Sequence, residues 1–331
     1  MLWTKRIAFF LITTAVVGIL YQQWGETRDA KLFPAPGRLI SVGDHRLHLW
    51  CIGEGAPTVL MLSGGGTPAV TMYDAQTRIG AFTRVCSYDR AGLGWSDPPA
   101  KPMTMPDMVD DLDQLILNGK IAGPFVLAPE SFGGMVALAY AARHPTKIAG
   151  AVFVDASEPD LWFRLAPTSF GSLKQKDILW QAGWRLGIIR AALPFGSPDW
   201  VAKLPPKLKG EFQAVWSRPM ASFADDSIDV LQLTKVSERP SAPPGLFGNN
   251  PIIVLRHGKS GGMGMDEDFE KQWPAAQAKL VKLSSDSRLI IAQENGHPIA
   301  EENPQLVADA VHEIVSKVRR RTNADTGEPR T

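Results

Sequence analysis

Cysteine and net charge are both scarce in this chain. Two cysteines, Cys51 and Cys86, in 331 residues exclude a disulfide scaffold, and they form no CxxC metal or redox pair. They read either as two buried small hydrophobes or, in an oxidising compartment, as a single bridge. A formal net charge of only +1 provides no global field to gather nucleic acid or acidic partners. No internal repeat or long low-complexity tract occurs. Walker loop, dinucleotide fingerprint and metal-ligand cluster are all missing, so neither a cofactor nor a metal is expected.

What is present is a globular composition, with 44% hydrophobic and 21% charged residues, 26 prolines and 10 tryptophans. The length suits one large domain with an insertion, or two small domains. The N-terminus, "MLWTKRIAFFLITTAVVGILYQQWGE", carries Lys5 and Arg6 ahead of an uncharged run from Ile7 to Tyr21, with Trp3 and Trp24 at its flanks. No A-x-A-like cleavage site follows, which favours an uncleaved signal anchor in residues 1–24 over a cleaved signal peptide that would release a secreted protein. Basic residues ahead of the run place the N-terminus in the cytoplasm and the main domain outside.

Residues 25–37 read as a linker. Two short runs, Leu39–Val42 and Arg46–Ile52, joined by Gly43 and Asp44, predict a hairpin. Apolar strands are expected in "TVLMLSGGG" (58–66), which ends in three glycines, in "RVCSYDRAGLGWSD" (84–97), which runs into a glycine loop, in "FVLAPES" (125–131), and at 148–156, 252–258 and 288–292. Helices are expected from a Thr104 cap to Leu117, over 132–143, around 267–282 and from Pro304 to about Val318. Strands alternating with helices predict a mostly parallel sheet covered on both faces. The alternation fails over 158–249, which holds five tryptophans and reads as a helical insertion. Within it, "KDILWQAGWRLGIIRAAL" reads as one amphipathic helix. The tail 319–331, with its arginine triplet, reads as disordered and solvated.

One stretch carries chemistry. In "VLAPESFGGMVALAYAARHP", residues 126–145, an apolar strand stops at Ser131, and two glycines open a small-residue helix. A serine on such a strand-to-helix turn exposes its hydroxyl beside the positive end of the helix, and crowding there demands small neighbours. This is the nucleophile-elbow pattern, usually G-x-S-x-G. Pro129 stands where its first glycine usually is. The simpler reading of Ser131 is a helix N-cap, which explains the hydroxyl but not the glycines.

Together with "LHLWCIGEG", "VLMLSGGG", "VCSYDRAGLGWSDPP", "VFVDASEPD" and "ENGHPIAEENPQLV", the elbow resembles the α/β-hydrolase superfamily over residues 38–318. The resemblance implies an eight-stranded, mostly parallel sheet, with a core of 38–157 and 250–318 and a helical lid, 158–249, inserted after strand six. It implies Ser131 as nucleophile and His297 as base, with His257 a distant second. The oxyanion donors would be the backbone N–H groups of Gly65 and Phe132. The glycine loop at 64–66 also reads as a plain flexible turn. "YDRAGLGWSD" is assigned structural work only. Cys51 and Cys86 would fall on neighbouring strands.

The acid of such a triad has two candidate places. Asp155 in "VDASEP" matches the strand-six acid of pancreatic-type lipases, and Asp266 or Asp268 would serve from the loop after strand seven; each also reads as a helix cap. The expected function is cleavage of a carboxylic ester through a covalent acyl-enzyme, on a small hydrophobic substrate. The competitors are a non-catalytic ligand-binding or receptor protein, and a cofactor-free lyase or peroxidase using the same residues.

Overall fold

The expected alternation is realised as one eight-stranded sheet in a computed structural model, which describes residues 2–169, 173–196, 201, 206–219, 230, 233–260 and 267–326. The chain divides into two compact units: Gly37–Gly171 with Ala221–Thr331, and Met1–Pro36 with Ser172–Met220.

In the larger unit the hairpin forms from β1 (Arg38–Ser41) and β2 (Arg46–Ile52), paired antiparallel around Gly43 at φ +116°. The other strands are β3 (Thr58–Leu62), β4 (Val85–Tyr88), β5 (Phe125–Pro129), β6 (Ile148–Val154), β7 (Ile252–His257) and β8 (Ser287–Ala292). Their order is β1-β2-β4-β3-β5-β6-β7-β8, parallel from β4 to β8. Every residue of β3, β4 and β5 is buried, because helices cover both faces of these central strands; that is why they read as unbroken apolar runs.

Cys51 and Cys86 occupy facing positions of the antiparallel β2–β4 pair, with Cα atoms 4.0 Å apart, and are joined as a disulfide. Directly opposed residues in an antiparallel ladder stand close enough for this. The bridge closes a loop across a sequence separation of 35, worth about 3–4 kcal/mol by chain entropy. Alkylation without reduction should therefore leave both cysteines unmodified in the mass spectrum. The Cys51→Ala, Cys86→Ala double variant should lose about that much in chemical denaturation.

The first helices of this unit along the chain are α2 (Tyr73–Gly80), α3 (Met105–Asn118), α4 (Gly133–Arg143) and α5 (Pro159–Ser169). Thr104 starts α3 through a capping box with Asp107, as its sequence indicates. The expected disordered tail is instead helical as far as Thr326. Arg319 donates to the carbonyls of Ala56 and Phe82, and Arg321 to Asn249 O and the Asp286 carboxylate. Those long-range partners are invisible to a composition argument.

In the smaller unit α1 (Leu2–Leu32) is long and apolar enough over Trp3–Leu32 to cross a membrane by length and composition. Its outer apolar residues, Phe9, Phe10 and Val17 among them, are exposed. The expected linker at 25–37 is helical up to Leu32, because the second half of α1 packs within the unit. Asp29 is buried against Arg190 at 2.5 Å, and Gln22 donates to Ser217 O. A Cβ on Gly18 would lie 2.4 Å from Leu186 O, so the backbones meet there. The single helix expected over 176–193 is two, α6 (Leu173–Arg185) and α7 (Ile188–Gly196), broken at Gly187 with φ +70°. Helix α8 spans Pro206–Trp216.

Candidate functional site

The carboxyl ends of parallel strands gather in one place, and loops there bring distant residues together. Between β5 and α4 the chain turns at Ser131, which has φ +48°, a conformation rarely adopted by residues other than glycine. Glu130 N donates to Leu62 O at 2.9 Å and Ser131 N to Val154 O at 3.2 Å, so both flanking strands hold the turn. A Cβ on Gly133 would stand 2.3 Å from Leu62 O, and one on Gly134 2.8 Å from Ala156 Cβ. Pro129 ends β5 opposite Leu62, and the turn follows it with both glycine-demanding positions kept. Gly133→Ala should therefore cost about 1–3 kcal/mol in thermal or chemical unfolding.

Asp155 follows β6 and is completely buried, with φ +43°. His297 lies between β8 and α10 (Ile299–Glu302). Its Nδ1 is 2.6 Å from Asp155 Oδ2 and its Nε2 is 2.8 Å from Ser131 Oγ. A carboxylate oxygen can only accept, so Nδ1 carries the proton and Nε2 is free to accept from the serine hydroxyl. Asp155 also receives His257 Nδ1 at 2.6 Å and His257 N at 3.1 Å, and Trp273 Nε1 at 2.8 Å. Burial pushes its pKa up, but the hydrogen bonds from the two histidines outweigh this and hold it well below the usual carboxylate range.

Of the alternative acids, Asp266 lies outside the described residues. Asp268 is exposed on α9 (Glu267–Val281). The second candidate base, His257, points its Nδ1 at Asp155.

Phe132 caps α4, at the end where backbone N–H groups have no helical partner. Gly65 lies in the turn after β3, beside Gly64, whose Cβ would come within 3.4 Å of Ser131 Cβ. This turn is fastened from below. Arg90 donates to Ser63 O at 2.7 Å and Gly64 O at 2.6 Å, and its guanidinium lies 5.3 Å from the Phe132 ring centroid. Asp89 accepts from Ala69 N, Trp95 N and His48 Nδ1. Behind the elbow, buried Glu130 faces half-buried Glu301 of α10, and burial followed by the charge of Glu301 raises Glu130 well above the ordinary glutamate value. Ala300 N donates to Glu130 Oε1 at 3.4 Å and ties the elbow to the segment after His297.

Ligand atoms of Asp155, His257 and His297 lie within 4.8 Å of one another, close enough to hold a metal ion. Their hydrogen bonds already account for the spacing.

A family model described as the alpha/beta hydrolase fold matches residues 57–304. The chain belongs to the α/β-hydrolase family. Among solved α/β structures, a thermophilic esterase from Thermogutta terrifontis matches with a TM-score of 0.60 at 22% identity, over 85% of this chain and 98% of its own. The enol-lactonase from Burkholderia xenovorans LB400 gives 0.59 at 19% identity, over 84% and 100%. An uncharacterized protein of Schizosaccharomyces pombe is 26% identical over 315 residues, 85% of this chain and 56% of that protein. The chain spans about half the length of the curated relatives it matches.

Two members of this α/β-hydrolase site escaped the sequence reading in their actual roles. His257 was legible as a residue at the end of β7, but its partner Asp155 is 102 positions away. Trp273 lies inside a helix, where a tryptophan ordinarily reads as core, and nothing local marks its Nε1 as a donor to Asp155.

Proposed function

We propose that this α/β-hydrolase is a serine hydrolase that cleaves a carboxylic ester through a covalent acyl-enzyme. The observation that carries the reading is the continuous chain Ser131 Oγ–His297 Nε2, His297 Nδ1–Asp155 Oδ2, at 2.8 and 2.6 Å. His297 takes the hydroxyl proton as Ser131 attacks the ester carbonyl, then returns it to the leaving alcohol. Asp155 holds the ring and balances the charge that forms on it. The N–H groups of Phe132 and Gly65 receive the developing oxyanion. Water, deprotonated by the same histidine, attacks the acyl-enzyme and releases the acid. The substrate is a small molecule with a hydrophobic acyl or alcohol group. A fluorophosphonate probe should label the folded wild-type protein at Ser131, and p-nitrophenyl esters of rising chain length should be turned over with a clear optimum. A folded protein that does not label is instead a ligand-binding member of the family.

Helix α1 supports a reading of the protein as membrane-anchored, with the main domain on the outer side. Deleting residues 2–16 should move the protein to the soluble fraction with labelling intact. Deleting through residue 30 also removes Gln22, Gly25 and Asp29, against which Arg190 packs, and should increase the protease sensitivity of α6, α7 and α8. Cleavage of the full-length protein near residue 24 in cells would overturn the anchor.

A further inference from the structure

Asp155 carries one histidine more than the proposed reaction uses. His257 ends β7, is 6% exposed, and stacks at 20° on the Trp273 ring. Its Nδ1 stands 2.6 Å from Asp155 Oδ2, the same oxygen that takes His297 Nδ1. Its Nε2 stands 3.5 Å from Glu270 Oε2, on α9. An imidazole with a carboxylate at each nitrogen is best satisfied with a proton on both, because a bare lone pair would otherwise face a negative oxygen. Among the described residues, Arg256 on its own strand adds an opposing positive charge, and the neutral His297 ring lies 6.4 Å away, nearly perpendicular.

We infer that His257 is held as an imidazolium between Asp155 and Glu270 and acts as a positioning residue, fixing the Asp155 carboxylate and lowering the pH at which the Ser131–His297 pair becomes competent. This rests on the proposed hydrolase reading only for its consequence in catalysis; the charge pairing stands on the geometry. A cation on one side of Asp155 offsets part of the negative charge that would otherwise hold a proton on His297. The pair can then release that proton, and attack can begin, at lower pH. Burial pulls the His257 pKa down, and the hydrogen bond and charge of Asp155 together with the charge of Glu270 outweigh it, leaving it raised.

The test compares wild type, His257→Asn and Glu270→Gln. Asparagine keeps an N–H near the Nδ1 position and discards the charge. Two measurements are made on the full-length protein: the pH dependence of the fluorophosphonate labelling rate, and ring-nitrogen NMR of protein labelled with ¹⁵N-histidine. In the wild type, His257 should show two protonated nitrogens at pH 7. In His257→Asn the acid limb should move up by about one pH unit, whatever the plateau rate; Glu270→Gln should move it the same way by less. A purely structural role would lower the rate at every pH and leave the limb in place. A neutral His257 ring at pH 7 overturns the inference, as do acid limbs that coincide in all three proteins. A doubly protonated His257 in folded wild type that never labels would sustain the charge pairing and overturn the hydrolase reading. If His257→Asn does not fold, the wild-type spectrum and Glu270→Gln still decide the question.

Discussion

Ser131→Ala should abolish fluorophosphonate labelling and lower turnover of a p-nitrophenyl ester by about 10⁴- to 10⁶-fold. The hydroxyl is the only group at the elbow able to form the acyl bond in the proposed mechanism, and alanine leaves His297 with nothing to activate but water. The fold should survive. Position 131 has φ +48° and alanine tolerates it about as poorly as serine, while the backbone bonds to Leu62 and Val154 do not involve the side chain. Circular dichroism and melting temperature should match the wild type within a few degrees. Undiminished labelling in Ser131→Ala would remove this serine from the reaction.

Asp155→Asn should slow turnover by about 10⁴-fold. An amide at this position can turn its N–H₂ toward His297 Nδ1, which then accepts; the ring proton moves to Nε2, where it faces Ser131 Oγ and blocks the general base. The variant should also be less stable. Asp155 is buried and accepts from four donors, two from His257 and one each from His297 and Trp273, and an amide cannot satisfy all of them. The pH dependence has a definite sign. The folded pKa of Asp155 lies below its unfolded value of about 3.9. Its contribution to stability is thus complete above that value and is lost as pH falls toward the folded one. The urea midpoint of the wild type should fall on acidification below pH about 4, and that of Asp155→Asn should fall less. Near-normal turnover in Asp155→Asn, with collapse in Asp266→Asn or Asp268→Asn, would move the acid to the segment after β7.

Much of this was readable from the chain. Period and run length gave the strands and most helices, because apolar stripes and buried runs are local properties. Ser131 was readable because a strand end, a serine at the turn and two glycines fall within the six positions 129–134. His297 was readable only once resemblance fixed the order of elements; six histidines offer no local signal to separate them. Asp155 remained one of three acids, since a D-x-x-E spacing serves a helix cap as well as a catalytic carboxylate.

The tertiary structure decided what depends on residues far apart in sequence. It brought His297 Nδ1 to Asp155 across 142 positions and His297 Nε2 to Ser131 across 166, and it added His257 and Trp273 to the same carboxylate. Pairing of Cys51 with Cys86 followed from the register of β2 on β4, which a sequence states only as two separate strands. The helical state of residues 25–32 and 319–326 was set by buried or long-range partners such as Arg190 and Asp286. Sequence by itself determined where the chain turns and which faces are apolar, because those preferences act between near neighbours; which carboxylate and second histidine meet His297, and which cysteines pair, were decided by the sheet, whose strand order and register set which residues meet.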